Sequence, residues 1–253
     1  MKAEAEKICS LTAYDASFAA ILEDAGIEVV LVGDSLGMVL HGEDSTLKVS
    51  MDDMVYHTKI VSSACRTSLV VADLPYRSYE NREQALQNSL RLVNEAGADM
   101  VKLEGEEEVA EIVEYLCENN IEVCGHVGLQ PQSVEKYGGY KVQGRDEKSA
   151  KDIFSGALAL EKAGAKLIVL ECIPMAVAGK VTAALNIPTI GIGAGFDCDG
   201  QVLVLYDVIG ISGRVPKMAK NFLAESGNIR DAVLAYIDGV KTGGFPASEH
   251  SFE

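Results

Sequence analysis

The chain has 253 residues, is 48% hydrophobic and carries a formal charge of −16 at pH 7. Such an excess of acid argues against nucleic acid or an anionic membrane surface as the main partner. The length admits two domains, but α/β barrels reach it as one, and residues 1–253 are expected to form one barrel domain.

In chain order, residues 8–12 read as a first strand, 15–25 as a helix and 29–33 as a second strand. A loop rich in Gly and polar residues, 34–50, leads to a helix over 51–65 and a third strand over 68–72 that ends at Asp73. A helix over 80–96 precedes strand 4 (100–104), and one over 106–118 precedes strand 5 (122–126). The segment 130–145 carries Gly138-Gly139 and Gly144 and leads to a helix over 146–163 and strand 6 (166–171). A short helix (176–185) and strand 7 (188–192) follow, then strand 8 (201–206), ending at Asp207. From Arg214 on, helices over 219–226 and 228–239 make a C-terminal extension.

Three times an Ala-Gly pair ends a helix-like stretch, a short apolar strand follows, and the strand closes on a carboxylate. The copies run from Ala25-Gly26 to Asp34, Ala96-Gly97 to Glu104 and Ala163-Gly164 to Glu171. They lie about 70 residues apart, roughly two βα units of a barrel that spends about 250 residues on eight. Gly suits the left-handed position that caps a helix, and the apolar runs suit parallel strands buried on both faces. Strict β-then-α alternation leaves a closed (β/α)8 TIM barrel or an open doubly wound sheet. Eight strands in this length favour the barrel, and no Gly-x-Gly-x-x-Gly follows strand 1 to support dinucleotide binding.

The C-terminal ends of barrel strands are where such folds keep their chemistry. Alternation puts Lys102 and Glu104 on one face of strand 4, the inward one in a barrel. Asp34, Asp73, Glu104 and Glu171 then crowd one rim. Like charges that close do not all stay ionised in a dry site unless a cation neutralises them. Oxygen-only donors select a hard ion, Mg²⁺ before Mn²⁺. His126, ending strand 5, is a candidate for orienting a neighbour or moving a proton. His41, His57 and His250 stand in no motif. Gly191-Ile192-Gly193-Ala194-Gly195 is either a phosphate cradle or a tight turn that needs Gly. The segment 130–145 is long for a βα loop and reads as a lid, a binding loop or an ordinary exposed loop.

The six cysteines (Cys9, Cys65, Cys117, Cys124, Cys172, Cys198) include no Cys-x-x-Cys pair, which reads as reduced, packing thiols. The first residues show no apolar signal-peptide core. No apolar run approaches the roughly 20 residues that span a bilayer. The expectation is a cytoplasmic protein with no membrane partner.

These residues resemble the ketopantoate hydroxymethyltransferase family. The matching stretches include Gly33-Asp34-Ser35-Leu36-Gly37-Met38, Val70-Val71-Ala72-Asp73-Leu74-Pro75, Val101-Lys102-Leu103-Glu104-Gly105 and Cys124-Gly125-His126-Val127-Gly128-Leu129. They continue through Gly138-Gly139-Tyr140-Lys141-Val142-Gln143-Gly144, Leu170-Glu171-Cys172 and Phe245-Pro246-Ala247-Ser248-Glu249-His250-Ser251-Phe252. One stretch departs from the family pattern, His41-Gly42-Glu43-Asp44 in the loop after strand 2.

The resemblance implies a barrel of the phosphoenolpyruvate/pyruvate type, assembled as a homodecamer of two stacked pentamers. It implies the first committed step of pantothenate synthesis, and so a step toward coenzyme A. A hydroxymethyl group passes from 5,10-methylenetetrahydrofolate to 3-methyl-2-oxobutanoate through a Mg-stabilised enolate, giving 2-dehydropantoate and tetrahydrofolate. Asp34, Asp73 and Glu104 match the family's ligands to one Mg²⁺ per subunit. Asp34, Ser35, Asp73 and Lys102 match its keto-acid contacts, with His126 counted among them, and Glu171 matches its proposed base. The alternative is a Mg-dependent carbon–carbon lyase or mutase of the isocitrate lyase type. Such enzymes carry a reactive Cys in a Lys-Lys-Cys-Gly-His-like loop, whereas Cys124-Gly125-His126 lacks the lysines and lies inside a strand.

Overall fold

The runs of Val, Ile and Leu read as strands do pair, and they close. In a computed structural model that describes residues 1–213 and 215–253, β1 (Ile8–Thr12), β2 (Val29–Val32), β3 (Leu69–Asp73) and β4 (Met100–Glu104) pair in order. They continue into β5 (Val123–Gly128), β6 (Leu167–Glu171), β7 (Thr189–Ile192) and β8 (Gly200–Leu203), and β8 returns to β1. All eight ladders are parallel. Arg214, from which the C-terminal extension was counted, lies outside the described residues.

Helices α1 (Ala16–Ala25), α2 (Leu36–Val39), α3 (Met51–Ser62), α4 (Arg82–Leu90), α5 (Ala110–Glu118), α6 (Val134–Tyr137) and α7 (Glu147–Lys162) separate the first six strands. After β6 come α8 (Met175–Ala184), α9 (Leu205–Val208) and α10 (Ile229–Thr242). Their starts follow capping chemistry. Asp15 accepts from the N–H groups of Ser17 and Phe18, and Ser50 and Asp53 form a capping box on α3. The repeated glycine after each Ala has the backbone expected of it, with φ of 86° at Gly26, 78° at Gly97 and 109° at Gly164. The expected C-terminal extension is chiefly α10, which docks on α1 and β1 and so completes the helical ring.

Strand alternation divides the core. Outward residues such as Leu11, Val30, Val101 and Ile168 pack under the helices, while Val29, Val71, Met100, Cys124, Leu167, Val169, Ile190 and Val202 fill the barrel's interior. Two strand ends differ from expectation. β5 runs on past His126, because Val127 and Gly128 keep their pairing with Leu170 and Glu171. β8 stops at Leu203, and Leu205–Val208 turns into α9, so Asp207 is not at a strand end. The Leu205 N–H is taken by Thr12 Oγ1 at 3.0 Å, which leaves the barrel ladder no donor there. The cysteines are all unpaired, with Cys9, Cys124, Cys172 and Cys198 buried. Among the described residues no helix is long and apolar enough to cross a membrane.

Candidate active site

Above the apolar floor, the inward positions at the C-terminal ends of the strands turn from aliphatic to charged. Asp73 ends β3, Lys102 and Glu104 stand two apart on β4, His126 is opposite Glu104 on β5, and Glu171 ends β6. Asp34 follows β2 at the N-terminus of a short turn, and its N–H donates to Asp73 Oδ2 at 3.0 Å. Asp34, Asp73, Lys102, Glu104 and His126 are all at most 5% exposed. The structure thus brings together every rim carboxylate of the repeat, the lysine and the histidine.

Among the described residues, one cation, Lys102, stands among these four carboxylates. Lys102 Nζ lies 2.9 Å from Asp73 Oδ1 and 3.2 Å from His126 Nδ1. Burial alone would strip the ammonium of its proton, but Asp73, Glu104 and Asp34 outweigh it and raise its pKa above the ordinary value. Burial and then Asp73 push Asp34 up to about 7. Burial and Asp34 hold Glu104 well above the usual carboxylate range. Burial pushes Glu171 up to about 7 against the pull of Lys102.

His126 goes the other way, held neutral by burial and by Lys102. Its approaches to Glu104 Oε1 (3.6 Å) and Glu171 Oε2 (3.2 Å) are therefore not ion pairs. Because Nδ1 faces the Lys102 ammonium and accepts, the ring hydrogen belongs on Nε2, toward Glu171.

Three partners of this cluster escaped the sequence reading. Tyr14, buried beside β1, shares a hydrogen bond of 2.8 Å with Ser35 Oγ. Gln132 and Tyr79 reach Asp34 and Glu104 from two loops. No periodicity marks a glutamine in a loop. The only available signal was its place just after Leu129, at the mouth of a strand rich in Gly and His.

The acids do not form a closed cage: among the described residues, no three His, Cys, Asp or Glu side chains converge as ready-made metal ligands. A divalent ion held by one or two carboxylates and completed by substrate oxygens and waters needs no such cage. Among the described residues, the excess of carboxylates over Lys102, with Asp34 and Glu104 pushed up, is an oxygen-donor set short of positive charge.

The glycine-rich turn after β7 is filled by the protein itself. A Cβ at Gly193 would stand 2.9 Å from the Phe252 ring, and one at Gly195 would stand 2.5 Å from the Met175 side chain. Gly193 allows close packing of the C-terminal tail, and Gly195 that of the start of α8. The loop over 130–145 reaches the mouth: the half-exposed Tyr140 hydroxyl donates to Met38 Sδ at 3.6 Å, tying it to the loop after β2. Burial and the carboxylates of Asp34, Glu171 and Glu104 raise its phenol's pKa. Cys124 points down into the floor, its thiol pushed up to about 12 by burial, a poor candidate for a reactive thiol.

Comparison with known proteins agrees with this geometry. The family described as ketopantoate hydroxymethyltransferase matches residues 1–248. A protein of Erwinia tasmaniensis named 3-methyl-2-oxobutanoate hydroxymethyltransferase is 55% identical over 253 residues, which cover 100% of this chain and 96% of that one. Among solved structures, a phosphoenolpyruvate phosphomutase from Streptomyces platensis subsp. rosaceus superposes with a TM-score of 0.62 at 14% identity, over 81% of this chain and 79% of that chain. A phosphonopyruvate hydrolase in complex with oxalate and Mg²⁺ gives 0.64 at 12% identity, over 98% and 89%. At such low identity these two show a shared fold alone, the closed (β/α)8 barrel. On the family match over nearly its whole length, this chain belongs to the ketopantoate hydroxymethyltransferase family.

Proposed function

We propose that the rim cluster carries out hydroxymethyl transfer from 5,10-methylenetetrahydrofolate to 3-methyl-2-oxobutanoate, giving 2-dehydropantoate and tetrahydrofolate. The observation that supports it most is the placing of Glu171. It is a mostly buried carboxylate with a pKa of about 7 at the edge of an acid cluster in which, among the described residues, Lys102 is the one ammonium.

Asp34 and Asp73, with Glu104 directly or through a water, are the proposed holders of a Mg²⁺, which when bound supplies Lewis-acid polarisation of the keto oxygen. Lys102 sets a fixed positive charge beside the carboxylate or the developing oxyanion. Ser35, held by Tyr14, donates to the keto-acid carboxylate. Glu171 takes the proton from C3. A carboxylate with a pKa near neutrality is matched to that task, since it is both available as a base and strong enough to accept. His126 Nε2 lies 3.2 Å from Glu171 Oε2 but out of line for a hydrogen bond, a neighbour of the base that leaves its oxygens open to substrate. Water opens the methylene bridge of the folate, breaking both carbon–nitrogen bonds and releasing tetrahydrofolate and a formaldehyde equivalent. The enolate carbon attacks that carbonyl carbon, and the alkoxide formed takes up the proton that Glu171 accepted. The deep location of Cys124 speaks against a lyase that uses a cysteine at this strand.

The test is the reverse reaction. Purified protein with Mg²⁺ and 2-dehydropantoate should release 3-methyl-2-oxobutanoate quickly only when tetrahydrofolate is added. Equal cleavage without tetrahydrofolate would point to a lyase. No cleavage in either case would overturn the proposal. The keto acid and the folate are then the partners, and a homodecamer, checked by light scattering, is the proposed assembly in a cytoplasmic setting.

A further inference from the structure

Gln132 sits in the turn Pro131–Ser133, between β5 and α6, and is 5% exposed. Its N–H and amide groups are all engaged. The amide nitrogen gives its two hydrogens to Asp34 Oδ2 at 2.8 Å and to the Leu74 carbonyl at 2.9 Å. The amide oxygen accepts from the Tyr79 hydroxyl at 2.6 Å, and the main-chain N–H donates to Glu104 Oε2 at 3.0 Å.

A main-chain carbonyl only accepts, so the nitrogen of the amide must be the atom that faces Leu74. The Tyr79 hydroxyl takes the Glu104 N–H at 3.4 Å and is left to donate to the amide oxygen. The side chain therefore has one orientation. Gln132 thus ties the acid after β2, through its amide, to the acid ending β4, through its main-chain N–H, taking one oxygen of each. Among the described residues no hydrogen-bond donor reaches the other oxygens, Asp34 Oδ1 and Glu104 Oε1. The nearest ring nitrogen, His126 Nδ1 at 3.6 Å from Glu104 Oε1, already accepts from Lys102.

We propose that Gln132 is a positioning residue that fixes Asp34 and Glu104 with one oxygen of each turned toward a divalent cation, and that Tyr79 locks its amide. The inference rests on the metal reading given above and adds the residue that aims the ligands. A neutral amide suits the role because it occupies one oxygen of an acid without adding charge to a cluster already short of cations. A carboxylate left without such a partner rotates, and ordering it again on binding costs affinity. Outer partners of this kind change metal affinity by about 10–100-fold when removed.

The experiment titrates the full-length protein with Mn²⁺ alone, in the absence of substrate, and follows free Mn²⁺ by electron paramagnetic resonance. Melting temperature and near-ultraviolet circular dichroism are read on the same samples. Gln132→Leu should bind Mn²⁺ about 10–100-fold more weakly than wild type. Tyr79→Phe should shift affinity in the same direction but less. The double variant should be no weaker than Gln132→Leu alone, because the tyrosine acts through the glutamine. A purely structural role would lower the melting temperature and leave Mn²⁺ affinity in place. Gln132→Leu binding within twofold of wild type overturns the proposal, and additive losses in the double variant overturn the part assigned to Tyr79. If Gln132→Leu does not fold, unchanged affinity in Tyr79→Phe overturns it. A wild-type protein that takes up no Mn²⁺ overturns the metal reading itself, and this inference with it.

Discussion

The two ends of the barrel hold carboxylates in opposite states. At the N-terminal end the strands present unpaired N–H groups, and acids answer them. Glu23 accepts from the N–H groups of Thr67 (2.9 Å) and Ser68 (3.1 Å), Glu28 from that of Cys9 (2.8 Å) and Asp99 from that of Val70 (2.8 Å). At the C-terminal end the strands present carbonyls, which have nothing to give a carboxylate. There Asp34 and Glu104 are buried, Glu171 is mostly so, donors are few, and all three rise above the usual range. The parallel sheet has one polarity, so the same residue type is satisfied at the bottom and costly at the top. Burying an ion costs several kcal/mol after relaxation. The apolar floor of Val29, Val71, Met100, Leu167 and Val169 offsets that cost, each fully buried side chain contributing about 1.5–3 kcal/mol. An end that is poor in donors is also the end that gains most from a cation.

The largest test of this contrast removes one top-end acid. Asp34→Ala and Asp73→Ala should each lower kcat/KM by about 10³-fold or more, as expected where several kcal/mol of transition-state charge stabilisation go missing. Circular dichroism should show both variants folded. Chelator-treated, metal-free wild type should lose activity to a similar extent. Full activity in that preparation would break the link between the charge-starved rim and a metal.

Next in size is the base. Glu171→Gln should still bind the keto acid but exchange deuterium at C3 about 10²-fold or more slowly than wild type. Exchange at the wild-type rate would move the proton to another group, with His126 the nearest.

The C-terminal half of this contrast was legible in the sequence; the acids at the N-terminal end were not read from it. Strand-end carboxylates at one spacing, and Lys102 two residues from Glu104, were enough to put one charged ring on the inner face, because a strand's side-chain period is two and a parallel barrel has one open mouth. Two features were not legible in that way. The Leu203-Val204-Leu205-Tyr206 run is as apolar as any buried strand, and only the Thr12 hydroxyl, distant in sequence, marks where β8 gives way to α9. His126 looked like the end of its strand because apolar alternation fades there, yet backbone pairing with β6 carries on to Gly128. Gln132, Tyr14 and Tyr79 show why loops hide function. Each acts through hydrogen bonds to residues on other elements, a relation with no period to detect.

The smallest effect separates the two ends by pH. Burial would raise Glu23, but the hydrogen bonds from Thr67 and Ser68 prevail and lower it to about 2. Its folded-state pKa lies below its unfolded one, so its contribution is present above about pH 4.5 and is lost as pH falls toward 2. Glu171 has the opposite sign. With a folded-state pKa of about 7, the native protein holds a proton that the unfolded chain gives up near pH 4.5. Stability from this group is full below about pH 4.5, falls as pH rises toward 7, and is level above that. Glu171→Gln should therefore gain stability over wild type as pH rises from about 5 to about 8, by roughly 1–2 kcal/mol once access of solvent at the mouth is allowed for. Glu23→Gln should lose about 1 kcal/mol at pH 7, most of which should vanish by about pH 3, with kcat unchanged throughout. Urea midpoints of the metal-free proteins across this range provide the measurement. Parallel pH profiles for wild type and Glu171→Gln would show that the top of the barrel is better supplied with donors or water than its geometry indicates. The same proton explains a further expectation at that end: a cation binding beside Asp34, at about 7 in its absence, should displace protons and weaken as pH drops below neutrality.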